Sequence, residues 1–165
     1  MQAAPEGYVP REALARTAKR WRESGRRVVF TNGCFDLLHP GHVSLLRDAR
    51  EQGDLLLVAI NDDASVERLK GASRPIYKLE ERAEILLALR WVDAVTSFAE
   101  DTPAEAIGEV RPDVLVKGSE YGSGEIVGEK FVTSYGGKVI RFPMRKGFAT
   151  TNIVDRIAGK NGHTD

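Results

Sequence analysis

Two histidines three residues apart, His39 and His42, frame a Pro-Gly step at the end of the segment TNGCFDLLHPGH, residues 31–42. Across the first turn of a helix that spacing brings both imidazoles to one face, where they can donate hydrogen bonds to a single phosphate. Gly33 and Gly41 carry no side chain, so their backbone amides can approach a phosphate or nucleotide closely. Pro40 and Gly41 mark a helix start, and the positive end of that helix would point at a polyphosphate. The plainer alternative is that His42 only packs or caps the helix. Cys34, His39 and His42 could in principle supply three zinc ligands, but no second cysteine pair or carboxylate cluster at ligand spacing completes the set. Cys34, beside Phe35, reads more simply as a small buried residue.

The elements that must position these residues follow from the hydrophobic periods. Residues 27–31 (RVVFT), 55–60 (LLLVAI), 94–98 (AVTSF), 113–117 (DVLVK) and 138–142 (KVIRF) read as short strands, several apolar on both faces. Such runs suit a sheet covered on both sides. Helical stretches separate them: about 41–52, with Val43, Leu46 and Ala49 on one stripe and Gly53 as a stop, then about 79–89, 103–110, 128–135 and 150–158. The third of these has Thr102 as cap, Pro103 in the first turn and Glu105 reaching back. A first helix, about 11–24, carries Leu14, Ala18 and Trp21 on one face, either core or an interface. Strands regularly separated by helices predict an α/β, Rossmann-like, doubly wound parallel sheet of five strands with helices on both faces. Ligands bind such sheets beyond the carboxyl ends of the strands. Residues 31–42, 117–121 (KGSEY) and 143–151 (PMRKGFATT) all fall on that rim.

Length and composition narrow the function further. The 165 residues, 42% hydrophobic and 29% charged, predict one compact domain over the whole chain, with a polar, fraying tail at 159–165. Lys plus Arg balances Asp plus Glu at 24 each, so no overall field draws the chain to nucleic acid or anionic lipid. The single cysteine excludes an internal disulfide, the apolar runs are too short to cross a bilayer, and the start, MQAAPEGYVP, has no secretory pattern. A cytoplasmic location fits that set.

The run Gly33-Cys34-Phe35-Asp36, then His39-Pro40-Gly41-His42, resembles position for position the G-x-F-D-x-x-H-x-G-H signature of the cytidylyltransferase-like nucleotidyltransferase superfamily. TNGCFDLLHPGHVSLL, LKGASRPI, VDAVTSF, DTPAEAI, PDVLVKGSEY and TTNIVDRI together resemble the adenylyltransferase domain of bacterial heptose-phosphate enzymes, over about 27–157. Many such relatives fuse this domain to a sugar kinase; nothing of that size precedes it here, so the resemblance is to a stand-alone form, with a homodimer expected.

The resemblance implies transfer of an adenylyl group from ATP to D-glycero-D-manno-heptose 1-phosphate, giving ADP-heptose and pyrophosphate for lipopolysaccharide or another surface glycan. A sugar phosphate is already a competent nucleophile, so the protein has only to align the attack and stabilise charge at the α-phosphate. His39 and His42 would donate to the phosphate oxygens, and Mg²⁺ would ride on the triphosphate, held by phosphate and water. The nucleotide would lie against Thr31, Asn32, Gly33, Phe35 and Gly41. Gly118 would admit it closely, while Lys117 meets a phosphate or forms a structural ion pair. Gly147, Thr150 and Thr151 would hold the β- and γ-phosphates, although Ala149 stands where relatives usually have serine. Cytidylyltransferases tend to carry arginine where this chain has Met144, which weakens a CTP reading; Arg145 and Lys146 could restore the charge or be a solvated pair. Lys70 and Arg74 would sit in a polar loop closing over the phosphates during transfer, or be ordinary surface charges. For the sugar phosphate the candidates are Asp36, Asn61, Asp62, which could equally cap a helix, and Arg82, which could equally be an exposed helix charge. The alternative activity is cytidylyl transfer to glycerol 3-phosphate or another small alcohol phosphate.

Overall fold

The structure, a computed structural model, describes residues 5–118, 126–144 and 146–159. Of the sequence expectations, those on Ser119, Glu120, Tyr121 and Arg145 and on residues 160–165 of the tail lie outside the described residues. Five parallel strands, β1 (Val28–Gly33), β2 (Leu55–Asn61), β3 (Ala94–Phe98), β4 (Val114–Gly118) and β5 (Lys138–Phe142), form one sheet in the order β3-β2-β1-β4-β5. β2 is buried along its whole length, as a central strand covered on both faces must be.

One face packs against α1 (Leu14–Glu23), α5 (Ala104–Val110) and α6 (Glu129–Ser134), with Leu14, Ala18, Phe30, Leu57, Ile107 and Leu115 among its buried residues. The apolar stripe of α1 is therefore core rather than interface, and a 3-10 turn (Arg11–Ala13) precedes it. The other face packs against α2 (Pro40–Arg50) and α4 (Leu79–Leu87) through Val29, Leu46, Ala49, Val58, Leu86 and Val116. α3 (Asp63–Lys70) follows β2, and α7 (Thr150–Ile157) closes the described chain.

Two local expectations are corrected. The polar loop expected around Lys70 and Arg74 begins later, because Asp63–Lys70 form α3, for which Asp62 takes its alternative role as cap by accepting from the Ser65 backbone N–H at 2.7 Å. Lys70 thus ends a helix. α5 begins at Ala104 with Pro103 as its N-cap and no side-chain capping bond, so Thr102 does not cap it.

Register is pinned at the amino ends of the strands by a repeated device. Asp54, just before β2, accepts from the Arg27 N–H beside β1; Asp93, before β3, accepts from Leu56 N–H of β2; Asp113, before β4, accepts from Val28 N–H of β1, each at 2.7 Å. Each carboxylate satisfies a backbone donor that the ladder leaves unpaired. The strand order reverses between β1 and β4, which opens a crevice at their carboxyl ends.

Candidate active site

A cleft of about 670 Å³ lies over that crevice. β1 runs into a loop in which Phe35 is held at φ 46°, a conformation a phenylalanine rarely adopts, with its ring buried. Gly33 permits the turn: a Cβ there would meet Phe35 Cε2 at 3.1 Å. The loop delivers His39 to the N-cap of α2.

His39 and His42 form a reciprocal pair. His39 Nδ1 accepts from the His42 backbone N–H at 3.3 Å, and His42 Nδ1 accepts from the His39 backbone N–H at 3.4 Å. With both Nδ1 atoms acting as acceptors, each neutral ring carries its proton on Nε2. The rings stack at 3.7 Å between centroids, 18° from parallel, and both line the cleft. Burial, and then the neighbouring His39, pull the His42 imidazole from its ordinary 6.5 down to about 3, so at neutral pH it is an uncharged N–H donor. His42 both caps the helix and faces the cleft, which joins the two readings of that residue. Gly41 is not part of the cleft wall; its need is steric, since a Cβ would lie 2.9 Å from His39 Cε1.

From the other side of the crevice β4 supplies Lys117 and Gly118. Burial draws the Lys117 ammonium from 10.5 down to about 8, with Cys34 acting in the opposite sense. No structural ion pair to Lys117 is present among the described residues. Met144 packs on Gly118, where a Cβ would meet its Sδ at 2.5 Å. Thr150 and Thr151 bring the start of α7 to the same cleft, the Thr150 hydroxyl donating to Leu37 O at 3.4 Å. Gly147, at φ 84°, turns the chain into α7 from outside the cleft wall. Asn32 also lines the cleft, its Oδ1 buried without a hydrogen-bond partner among the described residues. Thr31 sits deeper, its hydroxyl donating to Val116 O at 3.0 Å and tying β1 to β4.

The residues expected to meet the sugar phosphate separate into two kinds. Asn61 lines the cleft, donating through Nδ2 to Ser65 Oγ at 2.9 Å. Asp36 also lines it, but its carboxylate accepts from Arg74 Nε at 2.5 Å, Ile76 N–H at 2.8 Å and Tyr77 N–H at 2.9 Å. Burial opposes ionisation of Asp36, yet the Tyr77 and Ile76 amides and Arg74 outweigh it and hold the carboxyl below its ordinary range. Arg82 is no exposed helix charge: it is 1% exposed, behind the cleft wall. Its guanidinium donates to Cys34 O at 2.7 Å, Asn61 O at 2.8 Å and Tyr77 O at 3.1 Å, and pairs with Asp63 at 2.8 Å. Every one of those partners is protein, so Arg82 fixes the loop after β1 to the end of β2. Asp62, committed to its cap, also lies off the wall. Lys70 is exposed at the cleft rim, and Arg74 is held by Asp36 rather than loose on the surface. Cys34 lines the cleft half-buried, and burial pushes its thiol up, which keeps it protonated.

Some of the wall was not anticipated from sequence: Asp101, Thr102 and Pro103 after β3, and Ile126 and Val127 before α6. The signal for the first group was its place at the carboxyl end of a strand. Among the described residues no group of three or more His, Cys, Asp or Glu side chains is placed to hold a metal ion.

A family model described as cytidylyltransferase-like matches residues 30–153, most of the chain and all of the site above. The chain belongs to the cytidylyltransferase-like family. It is a nucleotidyltransferase by that membership. The bifunctional protein HldE of Gluconobacter oxydans (strain 621H) is 52% identical over 156 residues, 93% of this chain and 33% of that protein. HldE of Pseudomonas aeruginosa (strain UCBPP-PA14) is 48% identical over 159 residues, 96% of this chain and 34% of its own length. The chain thus spans about a third of the length of the curated relatives it matches. Among solved structures, a lipopolysaccharide core biosynthesis protein from Thermoplasma volcanium GSS1 superposes with a TM-score of 0.64 at 25% identity, covering 74% of this chain and all of the other. A pantoate-beta-alanine ligase from Francisella tularensis, at 16% identity and a TM-score of 0.59, shares the fold. It covers 93% of this chain and 76% of that one. No helix among the described residues is long and apolar enough to cross a membrane.

Proposed function

We propose that this chain transfers the adenylyl group of ATP to a heptose 1-phosphate. A phosphate oxygen of the sugar attacks the α-phosphorus, the bond from that phosphorus to the bridging oxygen of the β-phosphate breaks, and pyrophosphate departs with that oxygen. The observation that carries the reading is the stacked imidazole pair in the crevice between β1 and β4, with Nδ1 of each ring accepting from backbone, which puts the ring proton on Nε2. Two imidazole N–H donors held beside a reacting phosphate stabilise the charge that gathers on its oxygens, without a proton having to move. Lys117 adds a partly desolvated ammonium, and the amides that open α2 and α7 add positive ends. The buried, unpartnered Asn32 Oδ1 suits a hydroxyl or amino donor of the nucleotide. The acceptor class rests on the similarity to HldE along nearly the whole chain.

Mg²⁺ on the triphosphate would neutralise charge as the pyrophosphate leaves. Asp36 already has its carboxylate engaged, so the cation would reach the site on its own phosphate and water ligands.

The test is pyrophosphate release over a small matrix, ATP and CTP against heptose 1-phosphates, other sugar 1-phosphates and glycerol 3-phosphate. Release with ATP and a heptose 1-phosphate is expected; release only with CTP and glycerol 3-phosphate would overturn the reading. H42A should keep ATP affinity within a few-fold while kcat drops about 10²- to 10³-fold, on the order of 3–4 kcal/mol.

A further inference from the structure

The imidazole pair is the middle of a longer column. Phe35 lies against His42 with centroids 5.1 Å apart at 52°, His42 against His39 at 3.7 Å, and His39 against Phe148 at 6.3 Å and 24°. Ring centroids at these separations attract and exclude water between them. The two ends of the column are built differently. Phe35 is 5% exposed and packs in the core with Leu45 and Leu46. Phe148 comes from the segment joining β5 to α7, is half-buried and lines the cleft. Gly41 makes room between them: a Cβ at that position would touch both the His39 ring and, at 3.4 Å, Phe148 Cβ.

We propose that Phe148 is a positioning residue that, with Phe35, closes both ends of the imidazole stack against water and keeps the rings in their reciprocal Nδ1-to-backbone orientation. This rests on the reading of the pair as phosphate donors. Neither phenyl ring has a group that could touch the reacting atoms chemically, so their effect passes through the histidines. Without the outer ring, the side of His39 that Phe148 covers opens to the solvent of the cleft, the stack is hydrated further, and the uncharged, single-tautomer state of His42 is no longer enforced. Among the described residues, the charges that share the cleft with the pair are Lys70 from α3, Arg74 before α4, Asp36 from the loop after β1 and Lys117 from β4, with Asp101 after β3. The exposed Lys146 precedes Phe148 on the segment after β5. A Phe148 substitution leaves every one of these in place, so a changed His42 titration reports the ring.

The chain has three histidines, and replacing His163 by Gln leaves only the pair to observe. In that background, imidazole nitrogen NMR from about pH 8 to about pH 4 should show His42 of the otherwise unchanged protein remaining neutral with its proton on Nε2. In F148A the His42 resonances should begin to titrate within that range. F148A should also lower kcat for pyrophosphate release by about 10- to 10²-fold, with KM for ATP changed much less. F148Y, which keeps the ring, should restore both. An F148A protein whose His42 titration and kcat match the parent, or whose losses F148Y fails to restore, would overturn the proposal. If the parent releases no pyrophosphate from any nucleotide, the proposed function fails instead, and the NMR titration still decides the role of Phe148.

Discussion

At the residue scale, Lys117 and His42 are both held uncharged more readily than in water, with consequences of definite sign. The folded pKa of Lys117, about 8, lies below its ordinary 10.5. Between those values the unfolded chain binds more protons, so this group makes stability rise with pH across that window. A polyphosphate reverses the situation by restoring the ammonium. Nucleotide binding near pH 8.5 should therefore take up a fraction of a proton, read as a dependence of calorimetric enthalpy on buffer ionisation, and K117M should remove it. For His42 the folded value of about 3 lies below 6.5. Its contribution is complete above about pH 6.5 and is lost as pH falls toward 3, because the unfolded imidazole protonates first. Urea midpoints measured from pH 7 to pH 4 should fall less steeply in H42Q than in the parent.

At the element scale, the junction that matters is between the loop after β1 and the segment leading into α4. Asp36 grips that segment at Arg74, Ile76 and Tyr77, and Arg82 grips the loop in return through Cys34 O. R82M would leave the carbonyls of Cys34, Asn61 and Tyr77 without this donor and Asp63 without its partner. It should cost about 3–5 kcal/mol in urea unfolding, with the cleft loop loosened as well. Nothing in the sequence around Arg82 announces this. A charged residue in LEERAEILL has the pattern of a solvated helix face, and only the arrival of three carbonyls from separate segments makes burial favourable. The strands were legible, β3 and β5 to the residue, because apolar runs bounded by turn residues leave little choice. α3 was legible only in its cap, Asp62, since eight residues with a weak apolar stripe give the helix itself little periodic signal. In the cleft, the His39–His42 spacing could be read directly, whereas the Gly33 turn, the Asp36–Arg74 bond and the Phe148 stack depend on side chains whose placement the local sequence does not announce.

At the scale of the whole molecule, the order β3-β2-β1-β4-β5 explains why residues from four separate stretches meet: His39, Lys70 and Thr150 follow strands that end at the same edge of the sheet as β4, which carries Lys117 near its own end. A ligand that bridges those connections binds the folded chain alone, so ATP at about 100 times its Kd should add about 2.7 kcal/mol of stability. That should appear as a rise in Tm of several degrees, absent with adenosine if the phosphates carry the binding.

The aspartates at positions 54, 93 and 113 act at the opposite edge from all of this. They work like tailor's pins, aligning neighbouring strands from the hem while the chemistry occupies the collar. Connections at the collar can then be lengthened, shortened or exchanged with alignment still fastened below, which makes this scaffold a candidate host for transplanted specificity loops. Unfastening the hem with D54N, D93N and D113N together should spoil that tolerance before it touches any residue of the cleft.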